Sequence, residues 1–237
     1  MKKTILFPID SFHVGGITTF IKKYAQVLLR HKYKVVILGF KSEDNLNEAF
    51  FFKGCEVVVI NRVFHENWSD IILDCFIYLK YLIKVYKSKK VDVIHFSILW
   101  SSIYSLILPS TWFKKRIYSF HGVIDLENRS YFRHFGRIPH REKPKLVILR
   151  IAQFIIMLAS HKIIVLSEYS KQLIKTNFFG DFNSKIVLIP YFFTQTRNFL
   201  KRPRNKKKKN SCLTIVNFGR CEPRKGIDIL LEATPLL

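Results

Sequence analysis

Acidic side chains are scarce in this 237-residue chain: 17 Asp and Glu face 40 Lys and Arg, for a formal net charge of +23 at pH 7. So basic a balance points toward an anionic partner, either nucleic acid or a membrane surface. Lysine outnumbers arginine 27 to 13, and Ile, Phe and Asn are also plentiful, so compositional drift is a competing source of the excess. Cysteine is sparse as well, with four residues, Cys55, Cys75, Cys212 and Cys221. They form no CxxC pair and have no histidine at zinc-like spacing. That sets aside a disulfide framework and a zinc site, and favours free thiols in a reducing cytosol. Long apolar runs are missing. The longest candidate, 146–159, falls short of the roughly 18 residues a spanning helix needs and carries Arg150, so no spanning helix is expected. Lys2 and Lys3 followed by 4–7 resemble a signal peptide for a few residues, until Pro8 and Asp10 interrupt the run. No nucleophile elbow, HExxH or P-loop occurs, so serine hydrolysis, zinc proteolysis and P-loop nucleotide hydrolysis have no support.

What is present is a regular alternation. Apolar residues make up 49% of the chain, enough for a sizeable core. Short β-branched runs at 4–9, 35–40, 57–61, 91–96, 116–120, 162–166 and 185–189 read as buried strands. Between them, Ile17, Phe20, Ile21, Tyr24, Leu28 and Leu29 recur at helical spacing, with Lys22, Lys23, Gln26 and Arg30 on the other face. Helical patterns also fit 67–87, 99–108, 144–160 and 168–177. Strands alternating with helices predict a doubly wound α/β domain with a parallel sheet over 1–193. The segment 194–211 holds eight basic residues and no acidic one, and reads as a solvated linker. A new strand at 213–218, a loop at 219–226 and a helix opened by Ile227, Leu230 and Leu231 then begin a second element, 212–237. One strand and one helix cannot bury their own faces, so the sequence is expected to be truncated.

Four constellations could carry chemistry. Gly15 and Gly16 lie between the first strand and the first helix, where unpaired amides and a positive dipole end favour a phosphate or sugar, although a tight turn is an equal reading. His121, in Ser119-Phe120-His121-Gly122, falls at the carboxyl end of the fifth strand, where a neutral imidazole could bond a sugar hydroxyl or could be structural. His95 has the same placement on the fourth strand and a weaker claim. Ser167, after the sixth strand, suits the N-cap of the next helix. Arg220 and Lys225 stand five apart in a strand-to-helix loop. A guanidinium fork and a point ammonium together suit a diphosphate.

The order of these features resembles the family 4 glycosyltransferases of the GT-B fold. The resemblance rests on Gly15-Gly16-Ile17, Val91-Asp92-Val93-Ile94-His95, Phe120-His121-Gly122 and Val165-Leu166-Ser167-Glu168-Tyr169-Ser170-Lys171. It continues through Lys185-Ile186-Val187-Leu188-Ile189-Pro190 and Gly219-Arg220 to Lys225-Gly226-Ile227-Asp228. It implies two Rossmann-like domains across a cleft and a retaining, metal-independent transfer with no cofactor. The nucleotide-sugar would be the donor, and the acceptor a glycan or lipid-linked molecule of polysaccharide or glycolipid biosynthesis. Carried over, Arg220 and Lys225 would hold the donor diphosphate, Gly15 and Gly16 would lie beside donor and acceptor, and His121 would orient the transferred sugar. The family's paired glutamates, with seven residues between them, would fall beyond Leu237, so this chain by itself is expected to have little or no transferase activity.

Arg129, Arg133, Arg137 and Arg141, interleaved with Tyr131, Phe132 and Phe135 and followed by Lys143, Lys145 and Arg150, form the candidate surface for an anionic membrane. A second candidate is the 67–87 helix, where Tyr78, Tyr81 and Tyr86 accompany Lys80, Lys84 and Lys87. A cytoplasmic location, peripheral on the inner face of the cell membrane, follows as the expectation. Nucleic-acid binding is a distant alternative supported only by the pI and the tetralysine 206–209, since no stacking platform or helix-turn-helix signal accompanies them.

Overall fold

Seven strands form one parallel sheet in the order β3-β2-β1-β4-β5-β6-β7. The structure, a computed structural model, describes residues 2–13, 15–42, 47–64, 68–108, 115–124, 142–190, 215 and 227–234. The strands are β1 Thr4–Ser11, β2 Lys34–Lys41, β3 Glu56–Val63, β4 Val93–Phe96, β5 Lys115–Phe120, β6 Lys162–Val165 and β7 Ile186–Leu188. Each lies where an apolar run predicts it; β1, β2, β4, β5 and β6, inside the sheet, are largely buried and need no polar alternation. The helices are α1 Gly16–Arg30, α2 Glu48–Phe51, α3 Trp68–Lys89, α4 Leu99–Leu106, α5 Glu142–Ala159, α6 Glu168–Asn177 and α7 Ile227–Ala233. The short α2 has no apolar period to announce it. It is nucleated by Asn47, whose side chain accepts the Phe50 amide at 2.9 Å.

The sheet separates two cores. On one face α1 buries Phe20, Ile21 and Ala25, and Phe52 just after α2 joins them, against Ile5, Phe7, Ile9, Val35 and Ile37. On the other, α3, α4, α5 and α6 cover Leu6, Val36, Leu38, Ile94, Phe96, Tyr118 and Ile163. Tyr78 sits fully buried in this second core, donating to the Leu38 carbonyl at 3.3 Å. It therefore belongs to no surface, which corrects its reading as a partner of the neighbouring lysines. No described helix is long and apolar enough to cross a membrane.

Pro8 shapes the end of the central strand. It has no N–H to give a ladder and sits where β1 and β2 lose register: Pro8 pairs with Leu38, but the next pair is Ser11 with Phe40. The extra residue takes Asp10 out of the ladder before pairing resumes at Ser11. The Pro8 carbonyl instead accepts the Ser101 hydroxyl at 3.2 Å, and Asp10 Oδ1 accepts the Ser101 amide at 2.5 Å. Ile98, the N-cap of α4, offers no capping side chain, so Asp10 caps that helix from across the fold. Ser101, Ser102 and Ser105 are fully buried on α4, and their small size lets the helix sit against β1. At the opposite end of the sheet, Asp92 Oδ2 accepts the Thr4 amide at 3.0 Å and clasps β4 to β1. The linker 194–211 lies outside the described residues, as does the strand expected at 213–218 apart from Ile215; α7 alone represents the second element.

Candidate functional site

Strand order reverses at β1, where the chain first builds outward through β2 and β3 and then returns through β4. In open α/β sheets the crevice at the carboxyl ends of such strands is where ligands bind. Gly15 and Gly16, His95, His121 and Ser167 all follow or end strands on that rim, so the topology gathers five residues scattered over the sequence.

Gly15 is the N-cap of α1, extended at φ −152° and ψ 179°, and offers no side-chain cap to the first amides. That backbone is open to any residue, and neither glycine has a positive φ. A Cβ on Gly16 would meet nothing within 4 Å, and one on Gly15 only the edge of His13 at 3.8 Å. Neither turn geometry nor packing requires glycine here. What glycine does supply is an unobstructed helix N-terminus.

Both histidines are held by α1. Phe20 and Tyr24, four residues apart, stack at 5.9 Å. Phe20 meets His121 edge-on at 5.5 Å, and Tyr24 meets His95 edge-on at 5.2 Å. Phe7 closes the group at 4.9 Å from His95. Burial lowers the His121 pKa to about 4, and burial followed by the nearby His121 lowers that of His95 to about 3. Both rings are therefore neutral near pH 7. His95 is 1% exposed, and its Nε2 shares a hydrogen bond with Ser119 Oγ at 2.7 Å, tying β4 to β5. Its contacts are internal, so it supports the site from beneath and does not face the crevice. His121 lies in the loop just beyond β5 and is only partly covered.

Ser167 is the N-cap of α6, accepting the Ser170 amide at 3.1 Å with its hydroxyl 3.0 Å from Ser170 Oγ. Capping accounts for the residue type. Arg220 and Lys225 lie outside the described residues, and so do Arg129, Arg133, Arg137 and Arg141. Among the described residues, no group of three or more His, Cys, Asp or Glu side chains is placed to hold a metal ion. Cys55 and Cys75 are free thiols whose pKa burial raises, to about 11 for Cys55, so neither is a ready nucleophile at neutral pH.

One residue escaped the sequence reading. Gln153, on the sheet-facing side of α5, is fully buried and uses its whole amide. Nε2 donates to Tyr118 Oη at 2.9 Å and to the Gly122 carbonyl at 2.7 Å, while Oε1 accepts the Ile124 amide at 3.2 Å. It thus clamps the loop that presents His121. The available signal was a lone polar residue on the buried stripe between Leu149 and Ile156, where the helix is otherwise apolar.

Comparison with known proteins agrees with this fold. The sequence profile of Glycosyltransferase Family 4 matches residues 14–193. Among solved structures, sucrose-phosphate synthase from Thermosynechococcus elongatus superposes with a TM-score of 0.59 at 11% identity, covering 86% of this chain and 53% of that one. A glycosyltransferase from Rickettsia africae gives a TM-score of 0.50 at 21% identity over 80% and 43% of the two chains. Apo UGT2 of Phytolacca americana gives 0.51 at 9% identity over 85% and 54%. The chain thus spans about half the length of the structures it matches. A search of curated proteins returned no match. The shared parallel sheet is that of the GT-B glycosyltransferases, and the chain belongs to Glycosyltransferase Family 4.

Proposed function

We propose that residues 1–193 form the acceptor-side domain of a retaining glycosyltransferase that moves a sugar from a nucleotide-sugar to a glycan or lipid-linked acceptor. In this reading 194–211 is the interdomain linker and 212–237 opens the donor domain, with Arg220 and Lys225 on the diphosphate. The reaction belongs to polysaccharide or glycolipid biosynthesis, takes place in the cytoplasm and needs no metal. One observation carries the proposal: the unobstructed, uncapped N-terminus of α1 at the strand-order reversal, where a Cβ on Gly16 would meet only open space. That opening admits a sugar or phosphate to backbone amides. The nearby His121 supports an orienting role. With its pKa lowered to about 4 it is a weak base at pH 7, suited to hydrogen-bonding a hydroxyl rather than taking its proton.

Ligand-observed saturation-transfer NMR on the full chain tests this, using UDP-, GDP- and dTDP-sugars and oligosaccharide acceptors. Saturation transfer to at least one of these ligands is expected, with loss in Gly16→Val and weakening in His121→Ala at unchanged melting temperature. Donor contacts should weaken separately in Arg220→Ala and Lys225→Ala. A cooperatively folded chain that transfers saturation to none of these ligands, or a Gly16→Val variant that binds as the parent does, would count against the reading.

A further inference from the structure

The helical layer over the larger core leaves an apolar surface on its outer side. α5 buries Leu146, Leu149, Gln153 and Ile156 toward the sheet. Its opposite stripe is not polar. Val147, Ile148, Ile151, Ile155 and Leu158 recur there at three- and four-residue spacing, each 46 to 52% exposed. The stripe is about 16 Å long. α3 is turned the same way: Ile71, Asp74, Tyr78 and Leu82 face inward, and Ile72, Leu73 and Phe76 stand out at 47 to 69% exposure. Between them lies α4, which packs on both and ends beside the exposed Ile107. A helix exposed to water ordinarily carries polar residues on this face, and a contiguous apolar patch marks a docking surface.

Charge narrows the partner. Lys80, Lys84 and Lys87 continue the outward row of α3, and Lys143 stands exposed at the start of α5. The acids of α3 do not offset them. Arg62 holds Asp74 at 2.6 Å and Asp70 at 3.1 Å. An apolar centre with a lysine rim matches the boundary between acyl chains and anionic headgroups. A second copy of the chain would set these lysine rows against one another, with +23 charges on each partner.

We propose that the outer face of α3, α4 and α5 lies flat on an anionic phospholipid bilayer. The isoleucines of α5 and Phe76 enter the headgroup–acyl boundary, and the lysines meet lipid phosphates. This docking is independent of sugar transfer. It keeps the lysines of the 67–87 helix and Lys143 that the sequence singled out, but replaces their tyrosine partners with the outward isoleucines of α5 and with Phe76. Arg150 takes no part in it: it donates to the Asn177 carbonyl at the end of α6 and lies 5.8 Å from the Phe178 ring centre.

Vesicle co-sedimentation of the full chain decides the matter, comparing phosphatidylcholine vesicles with and without phosphatidylglycerol. Binding is expected only with phosphatidylglycerol. Ile151→Asp with Ile155→Asp should weaken it by roughly tenfold or more. Each of Lys80→Gln, Lys84→Gln and Lys87→Gln should cost about fivefold. Ile151→Ser with Ile155→Ser provides a milder pair, and thermal melting confirms that each variant folds. Phe50→Ser, 79% exposed on α2 across the sheet, should bind as the parent does. Equal binding to both vesicle types would overturn the proposal, as would binding lost with the lysines but indifferent to both isoleucine pairs. So would an oligomer in sedimentation equilibrium that Ile151→Asp dissolves while vesicle binding is absent.

Discussion

Replacing Gln153 by leucine removes three hydrogen bonds from the core without greatly changing side-chain volume. Tyr118 Oη and the Gly122 carbonyl lose their bonds at 2.9 and 2.7 Å, and the Ile124 amide loses its acceptor at 3.2 Å. A buried polar group left without its partner costs about 1–3 kcal/mol. Tyr118 is buried and water cannot replace its lost bond, whereas Gly122 and Ile124 are half-buried and water relieves part of their cost. The sum is roughly 2–4 kcal/mol, which for a chain of this size lowers the melting temperature by about 4–16 °C. Amide exchange by mass spectrometry locates the effect, since the Ile124 N–H should lose its protection while β1 and β2 keep theirs. Gln153→Glu sharpens the argument with a sign. The new carboxylate would be buried beside the Gly122 carbonyl, which raises its pKa above the unfolded value of about 4.3. The folded state then binds the extra proton, so the variant's deficit is full above the raised pKa and disappears as pH falls toward the unfolded one. A Gln153→Leu melting shift under about 2 °C with unchanged Ile124 exchange would refute the clamp, and so would a Gln153→Glu deficit that does not vary with pH.

Three further outcomes follow from single residues. His95 and His121 have folded pKa values depressed to about 3 and about 4, so their contribution to stability is complete above the unfolded value near 6.5 and is lost as pH falls below it. Urea titrations should show a loss of roughly 1.4 kcal/mol per pH unit for each histidine through that window. His95→Gln should remove about half of the slope, and a slope untouched by either histidine's replacement would refute the assignment. A Cβ on Gly39 would stand 2.5 Å from Ile9 Cγ1, so Gly39→Ala should cost about 1–3 kcal/mol in denaturant unfolding. In an Ile9→Ala background the same change should cost less. Lys32 ends α1 in the left-handed region at φ 64°, with the Tyr33 amide on the Leu28 carbonyl at 3.0 Å, so Lys32→Gly should stabilise by roughly 0.5–1 kcal/mol. A lower melting temperature in that variant would contradict the backbone argument.

The seven strands and most helices were legible because their cause is local. Apolar runs of four to eight residues and a 3.6-residue period are properties of neighbouring side chains, whatever the rest of the chain does. Legible too was the Gly15-Gly16 step into α1, since a strand, two glycines and an amphipathic helix lie in continuous sequence. The caps divided along the same line: Ser167 serves the helix it precedes and could be read, whereas Asp10 caps α4 from 91 residues away and could not. His95 and His121 look alike as residues closing β-branched runs. Only the tertiary structure separates them, because Ser119, Phe7 and Tyr24 enclose His95, while His121 emerges beyond β5.

The basic excess divides in a similar way. Its size is composition, but Arg150 is spent on a helix end and Tyr78 on the core, while Ile148, Ile151 and Ile155 of α5 stand outward. A helix's period shows that it has faces, not which of them a neighbour covers. Sequence alone therefore determined the alternating α/β plan, the family resemblance and the rim on which candidate residues fall, since these depend on short-range pattern. The burial of His95, the Gln153 clamp on the His121 loop and the uncovered side of α5 were decided by the tertiary structure, because each depends on contacts between segments that are distant in the chain.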